Sequence, residues 1–166
     1  INLGGNNLTG SLPRNLNGLT NLSEFYAYSN QLTGSIPALT GLTSLQFFEV
    51  HDNQLTGSIP ALTGTSLRSF YANNNQLTGN VPSVPSPSAL VSGGSALCPN
   101  LLNHTADPAW DAATGVTPWY ANCVGIVTPP TLQSALSRKV HGAGGTFDLP
   151  LSLTPVTNPT TEPRQG

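Results

Sequence analysis

The stretch Phe25-Tyr26-Ala27-Tyr28-Ser29-Asn30-Gln31-Leu32-Thr33-Gly34-Ser35-Ile36-Pro37 returns, with substitutions, through the first half of this 166-residue chain. Asn-x-Leu-Thr-Gly occurs at Asn6, Asn30, Asn53 and Asn75, at steps of 24, 23 and 22 residues. A proline stands seven residues after each asparagine, at Pro13, Pro37, Pro60 and Pro82. Self-similarity at a period in the twenties is the mark of a solenoid, in which each unit buries its apolar side against its neighbours.

The complete unit reads Leu19-x-x-Leu22-x-x-Phe25-x-Ala27-x-x-Asn30-x-Leu32-x-Gly34-x-Ile36-Pro37. It resembles the leucine-rich repeat of the plant-type subfamily, which carries the same Leu-x-Gly-x-Ile-Pro ending. That resemblance implies an α/β-type leucine-rich repeat solenoid, with short parallel strands on the concave side and a mostly irregular convex side. Leu22, Phe25 and Ala27 align with Leu45, Phe48 and Val50, then with Leu67, Phe70 and Ala72. The last two of each set alternate with polar or aromatic neighbours, as a short strand with one buried face requires.

Beyond the strand, a tight coil leaves interior N–H and C=O groups without ladder partners, and a side-chain amide both donates and accepts. Asn6, Asn30, Asn53 and Asn75 are therefore read as structural. Gly34, Gly57 and Gly79 are expected at bends where a Cβ would cost energy. Ala-Leu-Thr-Gly pieces on the outer side are too short and too rich in Gly and Thr for long helices.

Composition narrows the function classes. Only 7% of residues are charged, against about 25% in typical soluble domains. Five Lys plus Arg and a net charge of −2 leave no basic patch for nucleic acid. Nothing approaches the roughly 18 uninterrupted apolar residues of a membrane span. The chain has no methionine and opens inside a repeat, so it is read as a fragment of an exported protein, extracellular or on a cell surface, and monomeric.

Residues 1–82 are assigned to one partial and three complete repeats, near the minimum of about three for a stable array. Residues 83–124 read as a C-terminal cap. In it Asp107 is a helix N-cap, Pro108 the first helical residue and Gly115 the stop. Trp110, Trp119 and Tyr120 supply apolar area to cover the last coil. Cys98 and Cys123, with His104, fit no zinc spacing, and a disulfide is the preferred reading over a metal site. Leucine-rich repeat proteins often end in a cysteine-bearing cap, and this stretch resembles one.

Residues 125–137 read as a linker around Thr128-Pro129-Pro130-Thr131. Residues 138–166 read as a loosely ordered, truncated start of a further β-rich module. The segment from Ser137-Arg138-Lys139 to Leu149-Pro150-Leu151 resembles stretches of multidomain exported bacterial proteins that precede a β-sandwich. Asn7, Asn21 and Asn103 match the N-glycosylation acceptor pattern, which carries no weight in a bacterial protein.

Strand parity sends one set of side chains to the concave face. Asn2, Tyr26, Glu49 and Tyr71 form one column; Gly4, Tyr28, His51 and Asn73 the next; Glu24, Phe47 and Ser69 a third. Rigid aromatics with polar tips are over-represented at binding hot spots. Tyr26, Tyr28, Phe47, Glu49, His51, Tyr71 and Asn73 are the candidate ligand-binding residues. Glu49, His51 and Asp52 lie close enough for acid/base work, but no nucleophile motif such as Gly-x-Ser-x-Gly accompanies them. The expectation is a non-catalytic recognition scaffold for a protein, peptide or cell-wall glycan, without a cofactor or metal. The alternatives are a structural spacer or adhesion stalk, and an accessory module of a larger secreted enzyme.

Overall fold

A computed structural model describes residues 1–85 and 88–123. The linker and β-module assignments fall outside these residues. Within them the strands are β1 Thr9–Ser11, β2 Glu24–Tyr26, β3 Gln31–Thr33, β4 Phe47–Glu49, β5 Thr56–Gly57, β6 Ser69–Tyr71, β7 Gln76–Gly79, β8 Ser95–Ala96 and β9 Leu101–Leu102. One α-helix follows, α1 Pro108–Thr114. Strands of successive coils stack in the order β2-β4-β6-β8, all parallel, to make the concave sheet. Asn2 extends it by a bridge to Tyr26. Short ladders β1-β3 and β5-β7-β9, joined by a Ser35–Thr56 bridge, run along the flank after each asparagine.

The interior follows from the repeat. Phe25, Phe48 and Phe70 meet in register and stack, with ring centroids 5.4 Å and 5.7 Å apart. Around them Ala27, Leu39, Leu42, Leu45, Val50, Leu55, Leu62, Leu67, Ala72 and Leu77 are wholly buried. The convex side is built from turns and one 3-10 turn, Leu16–Gly18, among the described residues. Gly10, Gly34, Gly57 and Gly79 all have φ between 76° and 88°, where a Cβ is costly.

The asparagines form a continuous ladder. Asn53 Oδ1 accepts from the Leu32 N–H of the preceding coil at 2.9 Å, while its Nδ2 donates to the Ala27, Val50 and His51 carbonyls. Asn30 and Asn75 repeat the same pattern against Leu8 and Leu55. Each side chain thus ties two coils together where the backbone turns too sharply to pair with itself. The residue before each ladder asparagine, Ser29, Asp52 or Asn74, has φ near 50° to 55°.

The array runs further than the spacing of the glycines and prolines indicates. A fifth asparagine, Asn100, is 4% exposed. It accepts from the Leu77 N–H at 2.9 Å and donates to the Ala72 and Leu97 carbonyls. Ser95 and Ala96 pair with Phe70 and Tyr71, so the first part of the 83–124 cap is itself a coil. It lacks the Gly-x-Ile-Pro ending because the chain leaves for the helix instead.

That helix seals the end. Asp107 accepts from the Ala109 and Trp110 N–H groups, Pro108 opens the helix, and Gly115 closes it in the left-handed conformation. Trp110 is fully buried, 6.2 Å from Phe70, and its Nε1 donates to the Pro82 carbonyl. Trp119 is pinned by its Nε1 on the Thr105 carbonyl and its N–H on Asp111. The Cys98–Cys123 disulfide holds this layer to the last coil, which leaves neither thiolate free as a metal ligand. At the opposite end Leu3, Leu8 and Leu19 are 39%, 39% and 47% exposed. Their counterparts one coil on, Ala27, Leu32 and Leu42, are buried.

Candidate functional site: the concave face

Three strands, β2, β4 and β6, position the face, and the register fixes which side chains meet. Glu24 lies opposite Phe47 and Phe47 opposite Ser69; Tyr26 lies opposite Glu49 and Glu49 opposite Tyr71. With neighbouring strands roughly 4.8 Å apart and alternate residues of one strand roughly 6.6 Å apart, these side chains cover the sheet as a lattice. Tyr26, Tyr28, Phe47, Glu49, His51, Tyr71 and Asn73 are each half-buried.

The Tyr28 column is packed ring on ring. Tyr28 and His51 are coplanar to 2° with centroids 5.0 Å apart, and His51 meets Tyr71 edge-on at 6.1 Å. On the other side of Tyr28 lies Gly4, where an added Cβ would come 2.5 Å from the phenol ring. The glycine is what allows the ring to lie flat on the first coil. His51 Nδ1 is 2.7 Å from Asp52 Oδ2, and Asp52 Oδ1 accepts from Asn74 Nδ2 at 2.6 Å. His51 Nε2 stands 4.0 Å from Glu49 Oε2.

Electrostatics on the face are one-sided. Burial raises the Glu49 pKa, opposed by the neighbouring His51. Burial, the carboxylates of Glu24 and Glu49, and a hydrogen bond to Glu24 raise the Tyr26 pKa. Among the described residues no Lys or Arg forms an ion pair with Glu24, Glu49 or Asp52.

Two polar positions depart from a simple exposed column. Ser69 is only 8% exposed, and its Oγ has no hydrogen-bond partner. The turn at Val91–Gly94 runs beside it, with the Val91 N–H donating to the Arg68 carbonyl at 2.9 Å. Asn73 Oδ1 is likewise enclosed and unpartnered. Parity alone could place these residues on the face but not reveal their burial, because the covering segment lies outside the repeat pattern. His51, Glu49 and Asp52 come together as acid/base groups, yet they lie on an open sheet rather than in a water-excluding pocket.

A second aromatic group sits on the cap, where His104 stacks on Tyr120 at 4.9 Å and Trp119 meets both rings edge-on. In the sequence His104 stands only beside Cys98 and Cys123 as a disfavoured metal ligand, and Trp119 and Tyr120 only as apolar cover for the last coil. Composition between Cys98 and Cys123 is the only signal there.

Stacked parallel strands, the asparagine ladder and the Leu-x-Gly-x-Ile-Pro unit together define a solenoid of leucine-rich repeat type. Among solved structures it is similar to a plant peptide hormone receptor, RGFR1, in complex with RGF2. Identity is 40% over 49% of this chain and 14% of that one, with a TM-score of 0.45. It is also similar to a TDR receptor, at 29% identity over 61% of this chain and 22% of that one, with a TM-score of 0.44. The chain therefore spans less than a quarter of either. No protein-family model matches the chain, and no curated protein does.

Proposed function

We propose that this chain is a non-catalytic recognition scaffold that binds a protein or peptide through the concave face of its repeats. The observation that carries the reading is the in-register aromatic lattice of Tyr26, Phe47 and Tyr71 with the Tyr28–His51 stack, half-exposed on a rigid sheet. A core-type residue set on the solvent side, held by the stacked coils beneath it, is pre-organised for contact and loses little entropy on binding. The Cys98–Cys123 disulfide supports an extracellular or cell-surface setting. Repeat architecture by itself does not choose between recognition and a passive spacer.

The test is a selection of displayed random peptides against the whole chain, followed by NMR titration with the enriched peptides. Shifts should map to Tyr26, Tyr28, Glu49, His51 and Tyr71. The Tyr26→Ala/Tyr71→Ala double variant should lose binding, with unfolding free energy changed by less than about 1 kcal/mol. Parental affinity in that variant, or no enriched peptide, would overturn the reading in favour of a spacer.

A further inference from the structure

Glu49 is the centre of the lattice. Across the sheet it faces Tyr26 on β2 and Tyr71 on β6. Along its own coil, Phe47 precedes it and His51 follows it on the same face, with His51 Nε2 4.0 Å away. A carboxylate is thus framed on four sides by aromatic rings, and Glu24 adds a second negative charge diagonally. His51 directs its Nδ1 to Asp52 at 2.7 Å, so its nearest acidic partner is not Glu49. The two described Lys or Arg side chains are elsewhere: Arg14 on the first convex turn, and Arg68 exposed before β6.

A carboxylate whose neighbours in the lattice are aromatic residues is a setting for a positive charge, which gains both Coulomb attraction and the ring quadrupoles. We propose that the ligand of this face is a basic peptide, and that a lysine or arginine side chain of it seats over Glu49 between Tyr26 and Tyr71. This rests on the concave-face reading above and adds the chemistry of the occupant. Glu49's raised pKa agrees with it, since burial outweighs the opposing pull of His51 and no described Lys or Arg pairs with the carboxylate. A peptide suits the face better than a small free cation, because binding groups continue past the carboxylate. Tyr28, His51 and Asn73 continue the face as half-buried aromatic and polar side chains, and an extended backbone supplies donors and acceptors in series.

The experiment uses the whole chain with three acetylated, amidated hexapeptides as probes: hexa-arginine, hexa-citrulline and hexa-glutamate. Citrulline keeps the shape of arginine and removes its charge. Amide-resolved NMR should show hexa-arginine shifting Tyr26, Glu49, His51 and Tyr71, with hexa-glutamate inert and hexa-citrulline weaker by about tenfold or more. Glu49→Gln should weaken hexa-arginine by a similar factor, with the spectrum elsewhere unchanged as evidence of an intact fold. Shifts on the face that are equal for citrulline and arginine would overturn the charge inference and leave the concave-face reading standing. Shifts from hexa-arginine confined to the cap around Asp107 and Asp111, or scattered over all acidic residues, would overturn the proposal. So would concentration-dependent shifts of Tyr26 and Tyr71 without peptide, which would assign the face to a second copy. Peptides selected at random that bind away from β2, β4 and β6 would sink the concave-face reading itself.

Discussion

The two faces of the concave sheet differ in a way that separates folding from recognition. Toward the interior, β2, β4 and β6 present the same residue three times, Phe25, Phe48 and Phe70, each at most 1% exposed. On the opposite face the same strands present Glu24, Phe47 and the enclosed Ser69, then Tyr26, Glu49 and Tyr71. Sharing one backbone, the two sets have the same spacing and the same rigidity. Only the interior set must satisfy close packing in every coil, and close packing admits one ring stacked on the next. The solvent set is free of that requirement, so its variation carries whatever the face discriminates.

The contrast is broken most directly by truncating its interior member. Phe48→Ala removes the middle ring of the stack and leaves a cavity between two coils, which should cost about 3–5 kcal/mol. Tyr26→Ala, one side of the sheet away, should cost less than about 1 kcal/mol, since its ring is half-exposed. Urea denaturation of the two variants measures both. Equal losses would mean that the solvent-side rings are part of the core.

The ladder comes next in size. Asn53→Ala orphans the Leu32 N–H and strips a donor from the Ala27, Val50 and His51 carbonyls. Each group left buried and unpaired costs about 1–3 kcal/mol. Gln54, exposed beside it, is the control, and Gln54→Ala should stay within about 0.5 kcal/mol of the parent. Asn100→Ala should resemble Asn53→Ala, because Asn100 bridges two coils in the same way. Asn6→Ala should be milder, since Asn6 reaches only carbonyls of its own coil, Leu3 and Gly4. A melting temperature for Asn53→Ala equal to the parent's would contradict the structural role of the ladder.

These differences also explain what could be read from the sequence. Parity and the 22- to 24-residue period placed Phe25, Phe48 and Phe70 inside and the tyrosines outside, because a strand with one buried face leaves no other arrangement. The coil at Ser95–Leu102 was harder to see. Cys98-Pro99 stands where other coils carry an aromatic or polar residue and a left-handed one, and nothing like Gly-x-Ile-Pro follows. Its remaining signal was Leu97-x-x-Asn100-x-Leu102, which matches Ala72-x-x-Asn75-x-Leu77. Helix α1 was legible from Asp107, Pro108 and Gly115, since capping is local chemistry. The burial of Ser69 was not, because it depends on a segment with no repeat to align.

A finer perturbation of the solvent face alone comes from Gly4→Ala. The new Cβ would lie 2.5 Å from the Tyr28 ring, and a ring at the end of a side chain can swing away. The expected result is a small loss of stability with a large change in the Tyr28 and His51 ring resonances, because the stack must tilt. Unchanged ring shifts would mean that Tyr28 does not lie on the first coil in solution.

The smallest expected effect has the opposite sign, and it sharpens the contrast most. Phe48 is buried because burial stabilises it; its neighbour Glu49 is half-buried although burial disfavours its charge. Burial raises the Glu49 pKa, with His51 pulling the other way. The folded protein therefore holds the Glu49 proton more tightly than the unfolded chain does. That preference favours folding below the ordinary carboxylate range and fades as pH rises through the raised folded value, so ionised Glu49 is a liability at neutral pH. Glu49→Gln cannot ionise. Its melting temperature should match the parent's at a pH below the carboxylate range and exceed it slightly at pH 7, the gap opening as Glu49 loses its proton. Melting curves of both proteins across pH 3 to pH 7 read this directly. A gap of the reverse sign at pH 7 would show the ionised carboxylate stabilised within the chain itself, leaving no uncompensated charge for a basic ligand to meet.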